Sequence, residues 1–343
     1  MSYIWAMIQA IQDFAQLGNR LCAYLDGSLS WPALDLAKVR SRAENEWFTP
    51  TQIDSALEAF TEWLQEQCLE AWLARYSHLH ERPEERVAVV MAGNIPLVGF
   101  HDYLAVLASG RSVDVKLSSK DRYLLPALHA QLCDINPLWA TRVRFCEQFP
   151  SQPQALIATG GNETAAWFSQ EYAHIPHIVR GSRVSAAVLP SQPTAAQLEA
   201  LYQDMFLYFG LGCRSVCRLF LPEGMNPRQL LLPQPPEVEA AKHQGFQNAY
   251  RRQKALLSLQ GMDFTDGGFF ILQPSSDWHP PMATVYYSYY RSEEEVASLL
   301  AQEASRLQVV VSNLEIWENC VNFGLAQRPQ LWDYADGIDT MML

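Results

Sequence analysis

The feature that most constrains this chain is a change of hydrophobic rhythm at residue 87. From there, short runs apolar on every position alternate with helical patterns. VAVVM (87–91) is followed by Gly93-Asn94-Ile95-Pro96 and an apolar helix from Leu97 to Leu107. SVDVKL (112–117) precedes a helix opened by Asp121; VRFCE (143–147) and ALIAT (155–159) precede a helix starting at Asn162; VSAAVL (184–189) closes the series. Runs without in-out alternation read as strands buried on both faces, and strands alternating with helices imply a parallel sheet covered on both sides. Ligands of such sheets bind at the carboxyl ends of strands. Asn94, Lys116 and Gly160-Gly161 each directly follow a strand, so all are expected on one edge.

The first 80 residues read as helical. Ile4, Met7, Ile8, Ile11 and Ala15 form one apolar side of an N-terminal helix. Thr49, Pro50 and Gln52 make a helix start, and Ile53, Leu57, Phe60, Leu64, Cys68 and Trp72 follow at helical spacing. The run His78, His80, Glu81, Glu84, Glu85 breaks the pattern around Pro83. A second α/β set begins with a helix from Thr194 to Phe209, then Gly210-Leu211-Gly212-Cys213 and the strand SVCRLFLP (215–222). A proline-rich turn leads to a helix over 237–258; GGFFILQ (267–273), MATVYYSYY (282–290), a helix opened by Ser292 and LQVVVSN (307–313) complete it. The expected organisation is a helical N-terminal segment over 1–85, packing on a first α/β lobe over 86–193. A second α/β lobe over 194–322 and a tail over 323–343 follow, the tail crossing onto another part of the molecule or a partner subunit. No internal repeat is visible.

The composition is that of a folded protein, 49% hydrophobic and 18% charged over 343 residues, and the net charge of −12 argues against a nucleic-acid backbone or an anionic membrane surface as main partner. No apolar run approaches the roughly 20 residues of a membrane span. The N-terminus lacks a basic start and a small-residue cleavage site, and the seven cysteines include no C-x-x-C. A reduced, cytoplasmic protein is therefore expected. His174 and His177 form no metal motif, and no metal is expected. The tyrosines at 286, 287, 289 and 290 read as packing.

Cys213 lies between a glycine pair and a strand, beside Arg214. Such a thiol is either a nucleophile exposed at a cleft, with its own N–H as an oxyanion donor, or a core cysteine. Cys133, Cys217 and Cys320 read as core. Asn94 is either an oxyanion donor or the cap of the next helix. Gly160-Gly161, between strand and helix, is either an anion seat or a tight turn. Lys116 is either a ribose or phosphate contact or a solvated lysine.

In order along the chain, these pieces resemble the aldehyde dehydrogenase superfamily. The carriers are Asn94-Ile95-Pro96, Val115-Lys116-Leu117-Ser118, Thr159-Gly160-Gly161-Asn162-Glu163, Arg180-Gly181-Ser182-Arg183 and Gly210-Leu211-Gly212-Cys213. AGNIPLVGF, FGLGCRSVCRLFLP and AQRPQLWDYADGIDT resemble its acyl-CoA reductase (LuxC) branch. The resemblance implies an α/β, aldehyde-dehydrogenase-like fold of two Rossmann-like three-layer lobes with parallel-rich sheets. It implies that Cys213 attacks an acyl-CoA thioester, releases CoA and carries an S-acyl group that a nicotinamide hydride reduces to an aldehyde, with Asn94 holding the oxyanion. The implied cofactor-binding set is Lys116, Ser119, Gly160, Gly161 and Gly181.

Two departures refine this. Hydrolytic relatives carry a water-activating Glu where this chain has Val179, which favours the acylating, CoA-linked branch. The position of a ribose-gripping Glu is Ser119, followed by Lys120, which suits the 2′-phosphate of NADPH over NADH. The expected enzyme is thus an NADPH-dependent reductase of an acyl-CoA, fatty acyl above others. The alternatives are a reductase of an acyl phosphate or an acyl-carrier protein, and a non-catalytic nucleotide-binding protein. An acyl-transferring partner protein and a homo-oligomer are the protein partners to consider. The region Asp277-Trp278-His279-Pro280-Pro281, where relatives carry a ribose-orienting Glu, offers no replacement.

Overall fold

The computed structural model describes residues 3–76, 85–150, 152–232, 238–317 and 320–343, with side chains from residue 7 onward. The expected break at His78, His80, Glu81, Pro83 and Glu84, the side chain of Ile4, and residues 233–237 of the proline-rich turn lie outside them. The chain forms two compact units, one made of Met1–Gly181 with Gln330–Leu343, the other of Ser182–Pro329.

The first unit opens with α1 (Tyr3–Leu25), α2 (Pro32–Glu44), α3 (Pro50–Trp63) and α4 (Glu66–Leu73). Thr49 caps α3 by accepting the Gln52 N–H. Then come β1 (Arg86–Val90), α5 (Phe100–Ala108), β2 (Ser112–Lys116), α6 (Leu124–Ile135), the short α7 (Trp139–Arg142), β3 (Val143–Cys146), β4 (Ala155–Thr159), α8 (Asn162–Glu171) and β5 (His177–Arg180). The five strands are all parallel, in the order β3-β2-β1-β4-β5. The alternation of each strand sorts its side chains onto two faces. Val87, Val89, Val113, Val115 and Ile157 pack with α5, α6 and the N-terminal helices in one large core; Ala88, Leu156 and Ala158 pack with Phe168 of α8 on the other side.

The second unit contains β6 (Val184–Val188), α9 (Ala195–Phe206), β7 (Val216–Pro222), α10 (Gln244–Gln260), β8 (Thr265–Asp266), β9 (Ile271–Pro274), β10 (Thr284–Tyr290), α11 (Glu293–Gln302), β11 (Leu307–Val311) and β12 (Cys320–Val321). The sheet order is β12-β11-β6-β7-β10-β9-β8, parallel except at β8. Val184, Val188, Phe220 and Val310 pack with Val296 and Leu300 of α11. Tyr202 and Phe206 of α9 share an aromatic cluster with Phe246 of α10 and with Phe269 and Phe270. Thr194 and Gln197 form a capping box at the start of α9.

Two expectations are corrected. The strand at 184–189, expected to close the first lobe before a boundary at 193, is β6, and it pairs with β7 and β11 of the second unit. The boundary therefore falls after Gly181. An apolar run specifies a strand, not the sheet it joins. The tail expected over 323–343 is divided as well: residues up to Pro329 belong to the second unit, and Gln330–Leu343 returns to the first.

That return is held by buried polar groups. Arg180, at the end of β5, donates to Asp102 of α5 at 2.7 Å and to Thr340 at 3.0 Å, and Thr340 donates to Asp102 at 3.2 Å. Trp72 Nε1–H donates to the Tyr334 hydroxyl at 2.6 Å, and the Tyr76 hydroxyl donates to Asp339 at 2.8 Å. Asp102→Ala would leave the buried Arg180 guanidinium without its carboxylate. The expected loss is about 3–5 kcal/mol, as for other broken buried pairs, read as a lowered urea midpoint; an unchanged midpoint would show that the tail is held without this network.

Candidate active site

β1 leaves the sheet through a turn that carries Asn94. The Met91 N–H donates to the Lys116 carbonyl at 3.0 Å, keeping the exits of β1 and β2 side by side. A Cβ on Gly93 would lie 2.4 Å from Ser118 Oγ, so glycine is required there for the two exits to meet. Asn94 is exposed. It is not a helix cap: α5 begins later than expected, after Gly99. The turn closes at Leu97, a buried non-glycine residue in the left-handed region with φ 57°. Its N–H donates to Asp121 Oδ2 at 2.7 Å. Asp121 was expected to open a helix, yet α6 starts at Leu124 behind Tyr123. Asp121 instead is buried, and burial pushes its carboxyl up to about 6 against the opposing pull of the Leu97 N–H.

The other expected cofactor residues lie on the same carboxyl edge of this sheet. Lys116 ends β2 half-buried, its Nζ donating to the Leu117 carbonyl at 3.1 Å. Ser119 and Lys120 are exposed on the following turn. β4 ends at Gly160-Gly161, which leads into α8. The two glycines differ. Gly160 donates its N–H to the Arg180 carbonyl at 3.1 Å, so that donor is committed to the β4–β5 turn. Gly161 has an ordinary φ of −67°, is exposed, and a Cβ there would meet nothing within 4 Å. Neither backbone strain nor internal packing demands glycine at 161. It also caps α8 with no side-chain oxygen, leaving that helix start suited to an anion. Gly181 has a packing reason, since a Cβ would lie 2.9 Å from Asn162 Oδ1. Val179 pairs with Ala158 and packs on the Phe168 side of the sheet.

In the second unit, Cys213 is half-buried in the turn just before the amino end of β7. The chain reaches it through Phe209 (φ 56°) and Gly210 (φ 73°), both left-handed. The turn is pinned on three sides. Ser185 of β6 donates to the Cys213 carbonyl at 2.8 Å, the Ser215 N–H to the Gly212 carbonyl at 3.0 Å, and Arg214 Nε–H to the Ala326 carbonyl at 2.5 Å. Ala326 is itself held by Asp204 of α9, whose carboxylate accepts the N–H groups of Gly324 at 2.7 Å and Ala326 at 3.0 Å. Arg218 of β7 donates to the carbonyls of Ser275 and Asp277 at 2.5 and 2.8 Å, fixing the region for which the sequence offers no ribose-orienting Glu. Burial pushes the thiols of Cys217 and Cys320 up to about 11 and raises that of Cys133. A thiol so raised is almost wholly protonated at neutral pH and is a poor nucleophile.

Asn94, Lys116, Ser119, Gly160, Gly161 and Gly181 thus all belong to the first unit, at the ends of β1, β2, β4 and β5, and Cys213 belongs to the second. Asp121, Asp204 and Arg218 were not singled out from the sequence. For Asp204 a signal existed: it lies in α9 beside the inward Leu201 and Met205. Among the described residues no group of His, Cys, Asp and Glu could hold a metal, and no helix is long and apolar enough to cross a membrane.

Burial also pushes the Asp204 carboxyl up to about 7. Its folded value lies above its unfolded one, so the folded state binds the proton more tightly. This contribution to stability is greatest below about pH 4 and is lost as pH rises to about 7, with a slope of at most about 1.4 kcal/mol per pH unit. Urea melts across that range should show a loss for the wild type that is smaller in Asp204→Asn; parallel curves would exclude Asp204 as the titrating group.

Two parallel-rich sheets, each with flanking helices, and a turn cysteine ahead of a central strand define the aldehyde dehydrogenase fold, and similar solved structures carry that name. An indole-3-acetaldehyde dehydrogenase in complex with NAD+ superposes with a TM-score of 0.61 at 14% identity over 90% of this chain and 73% of that one. An NAD-dependent aldehyde dehydrogenase from Sinorhizobium meliloti gives 0.62 at 11% over 90% and 71%, and a Mycobacterium tuberculosis aldehyde dehydrogenase in complex with NAD+ gives 0.58 at 14% over 88% and 72%. No curated protein sequence matches. The profile of the family described as Acyl-CoA reductase (LuxC) matches residues 29–230. The chain belongs to the acyl-CoA reductase (LuxC) family, a group of oxidoreductases.

Proposed function

We propose that this protein reduces an acyl-CoA thioester, fatty acyl above other acyl groups, to an aldehyde, with Cys213 as nucleophile and NADPH as reductant. The observation that carries the reading is the contrast among its thiols. Cys213 lies ahead of the strand ladder in a turn pinned by Ser185, Ser215 and Arg214, whereas Cys217 and Cys320 lie within β7 and β12, where burial pushes their thiols up to about 11. The family match supports the reaction class, and two of the similar structures are NAD+ complexes, which supports a nicotinamide dinucleotide.

Cys213 Sγ, as thiolate, attacks the thioester carbonyl carbon. The resulting oxyanion is held by the Cys213 backbone N–H and the Asn94 side-chain amide. Collapse breaks the bond to the CoA sulfur; CoA leaves as its thiol, taking a proton, and an S-acyl-cysteine remains. A nicotinamide dinucleotide, when bound, would supply the hydride, with its two electrons, that the acyl carbon requires. The same two donors hold the second oxyanion, whose collapse breaks the bond to Cys213 and releases aldehyde and thiolate. Val179 places an alkyl group where hydrolytic relatives carry a base, so water is not activated against the S-acyl group. Lys116 is assigned the adenosine ribose, and Gly161 with the start of α8 the pyrophosphate. Gly160 and Gly181 shape that turn. Ser119 and Lys120 leave room and positive charge for a 2′-phosphate.

Cys213→Ala should abolish acyl-CoA-dependent NADPH oxidation and the one-acyl mass increase seen on mixing with a long-chain acyl-CoA alone; Cys217→Ala should keep both. Acylation surviving in Cys213→Ala would remove this residue from the mechanism. Gly161→Val should raise the KM for the dinucleotide several-fold while lowering the apo-protein melting temperature by no more than the loss of a favourable helix-cap residue, because the space around its Cβ is empty. Unchanged KM would place the pyrophosphate elsewhere.

A further inference from the structure

We infer that Asp121 is a positioning residue for Asn94, holding the Asn94–Leu97 turn in the one conformation that presents the Asn94 amide. The inference rests on the role proposed above for Asn94. Asp121 is 7% exposed and spends one carboxylate oxygen on the N–H of Leu97 at 2.7 Å. Leu97 is the closing residue of the turn and sits in a backbone conformation that L side chains rarely adopt. Its side chain is buried and its carbonyl accepts the Phe100 N–H at 2.9 Å, so the turn cannot relax without disturbing the start of α5. The second carboxylate oxygen, Oδ1, is buried and accepts no hydrogen bond among the described residues. Asp121 lines a small cavity together with Met91, Leu97, Phe100, Leu117 and Leu125. A carboxylate kept among apolar side chains for a single backbone donor is costly as structure alone.

The anchoring is also specific to this pair of turns. The Asp121 N–H donates to the Ser118 carbonyl at 3.2 Å, and Gly93 packs on Ser118 and Lys120. The Asn94 turn is therefore fixed against the turn that follows Lys116. Asp121 touches no reacting atom; its contribution is the placement of Asn94, and displacement of a catalytic group by about 1 Å costs on the order of 100-fold in rate.

The test is a cycle of Asn94→Ala, Asp121→Ala, Asp121→Asn and the double variant Asn94→Ala/Asp121→Ala, assayed as the full chain for acyl-CoA-dependent NADPH oxidation. Asp121→Ala should lower kcat by roughly 10- to 100-fold, with KM for the dinucleotide within about twofold of wild type. Asp121→Asn, whose amide oxygen still accepts the Leu97 N–H, should recover most of that loss. The double variant should be no slower than Asn94→Ala. Should Asp121→Ala fail to fold, Asp121→Asn combined with Asn94→Ala gives the same reading: a smaller loss in the single variant that vanishes in the Asn94→Ala background supports the inference. Losses that multiply in either double variant, or wild-type kcat in folded Asp121→Ala, overturn it while leaving the functional reading intact. Wild-type kcat in Asn94→Ala overturns both, and so separates the two failures.

Discussion

The parallel pairing of β1 with β2 on one side and β4 on the other governs where the turns of the first unit emerge. Val87–Val90 are bonded in register to both neighbours. All three strands must then end at one edge, and the turns beyond them emerge together. The chain runs outward from β1 through β2 to β3, then returns to the opposite flank for β4 and β5. The order reverses at β1, and at such a reversal the connections diverge to opposite faces, opening a crevice above the strand ends. Asn94, Lys116 and Gly161 belong to the three turns that border it. Their neighbourhood follows from backbone hydrogen bonds alone, before any side chain is considered.

Holding those turns still is a separate problem, solved in both units by a buried aspartate that accepts backbone N–H groups. A left-handed leucine costs roughly 1–2 kcal/mol, and a hydrogen bond to a charged group returns about 1.5–3 kcal/mol. Asp121 thus offsets the strain at Leu97, although its own desolvation works the other way. Asp204 does the same for the 324–326 segment, which reaches Arg214 beside Cys213. In each case burial raises the carboxyl, so the charge that makes it a strong acceptor is held only above about pH 6 for Asp121 and above about pH 7 for Asp204.

The strands and helices were legible because their signals are local. A fully apolar run of five residues, Thr49 before Pro50, and Ser292 before three glutamates each act within one turn or strand. The site turns were legible because glycine, asparagine and cysteine stand out between apolar runs. Partner choice was not. Val184–Val188 looks like the strands before it, and nothing within it says that β7 and β11 are its neighbours. The tail was only partly legible, because Tyr334, Asp339 and Thr340 are polar residues whose burial depends on Trp72, Tyr76, Asp102 and Arg180, far away in sequence. Asp121 was misread for a related reason: ahead of a helix, an aspartate resembles a cap, and only the fold brings the Leu97 N–H to it.

The start of β7 separates two of the thiols in their environments. Cys213 and Cys217 are four residues apart, and their neighbours already separate them in the sequence, a glycine pair before the first and an apolar run after the second. The strand begins at Val216, so Cys217 is inside the ladder, its Sγ 3.6 Å from the Trp278 carbonyl and packed against the core beneath α11. Desolvation there disfavours the thiolate. Cys213 falls just outside the ladder, with its carbonyl accepting the Ser185 hydroxyl. A one-residue slip in the register of β7 against its neighbours would turn every side chain along the strand to the opposite face. The left-handed pair Phe209-Gly210, the Ser185 hydroxyl and the Arg214 anchor fix where the ladder begins, and so fix that Cys217 lies within it and Cys213 ahead of it.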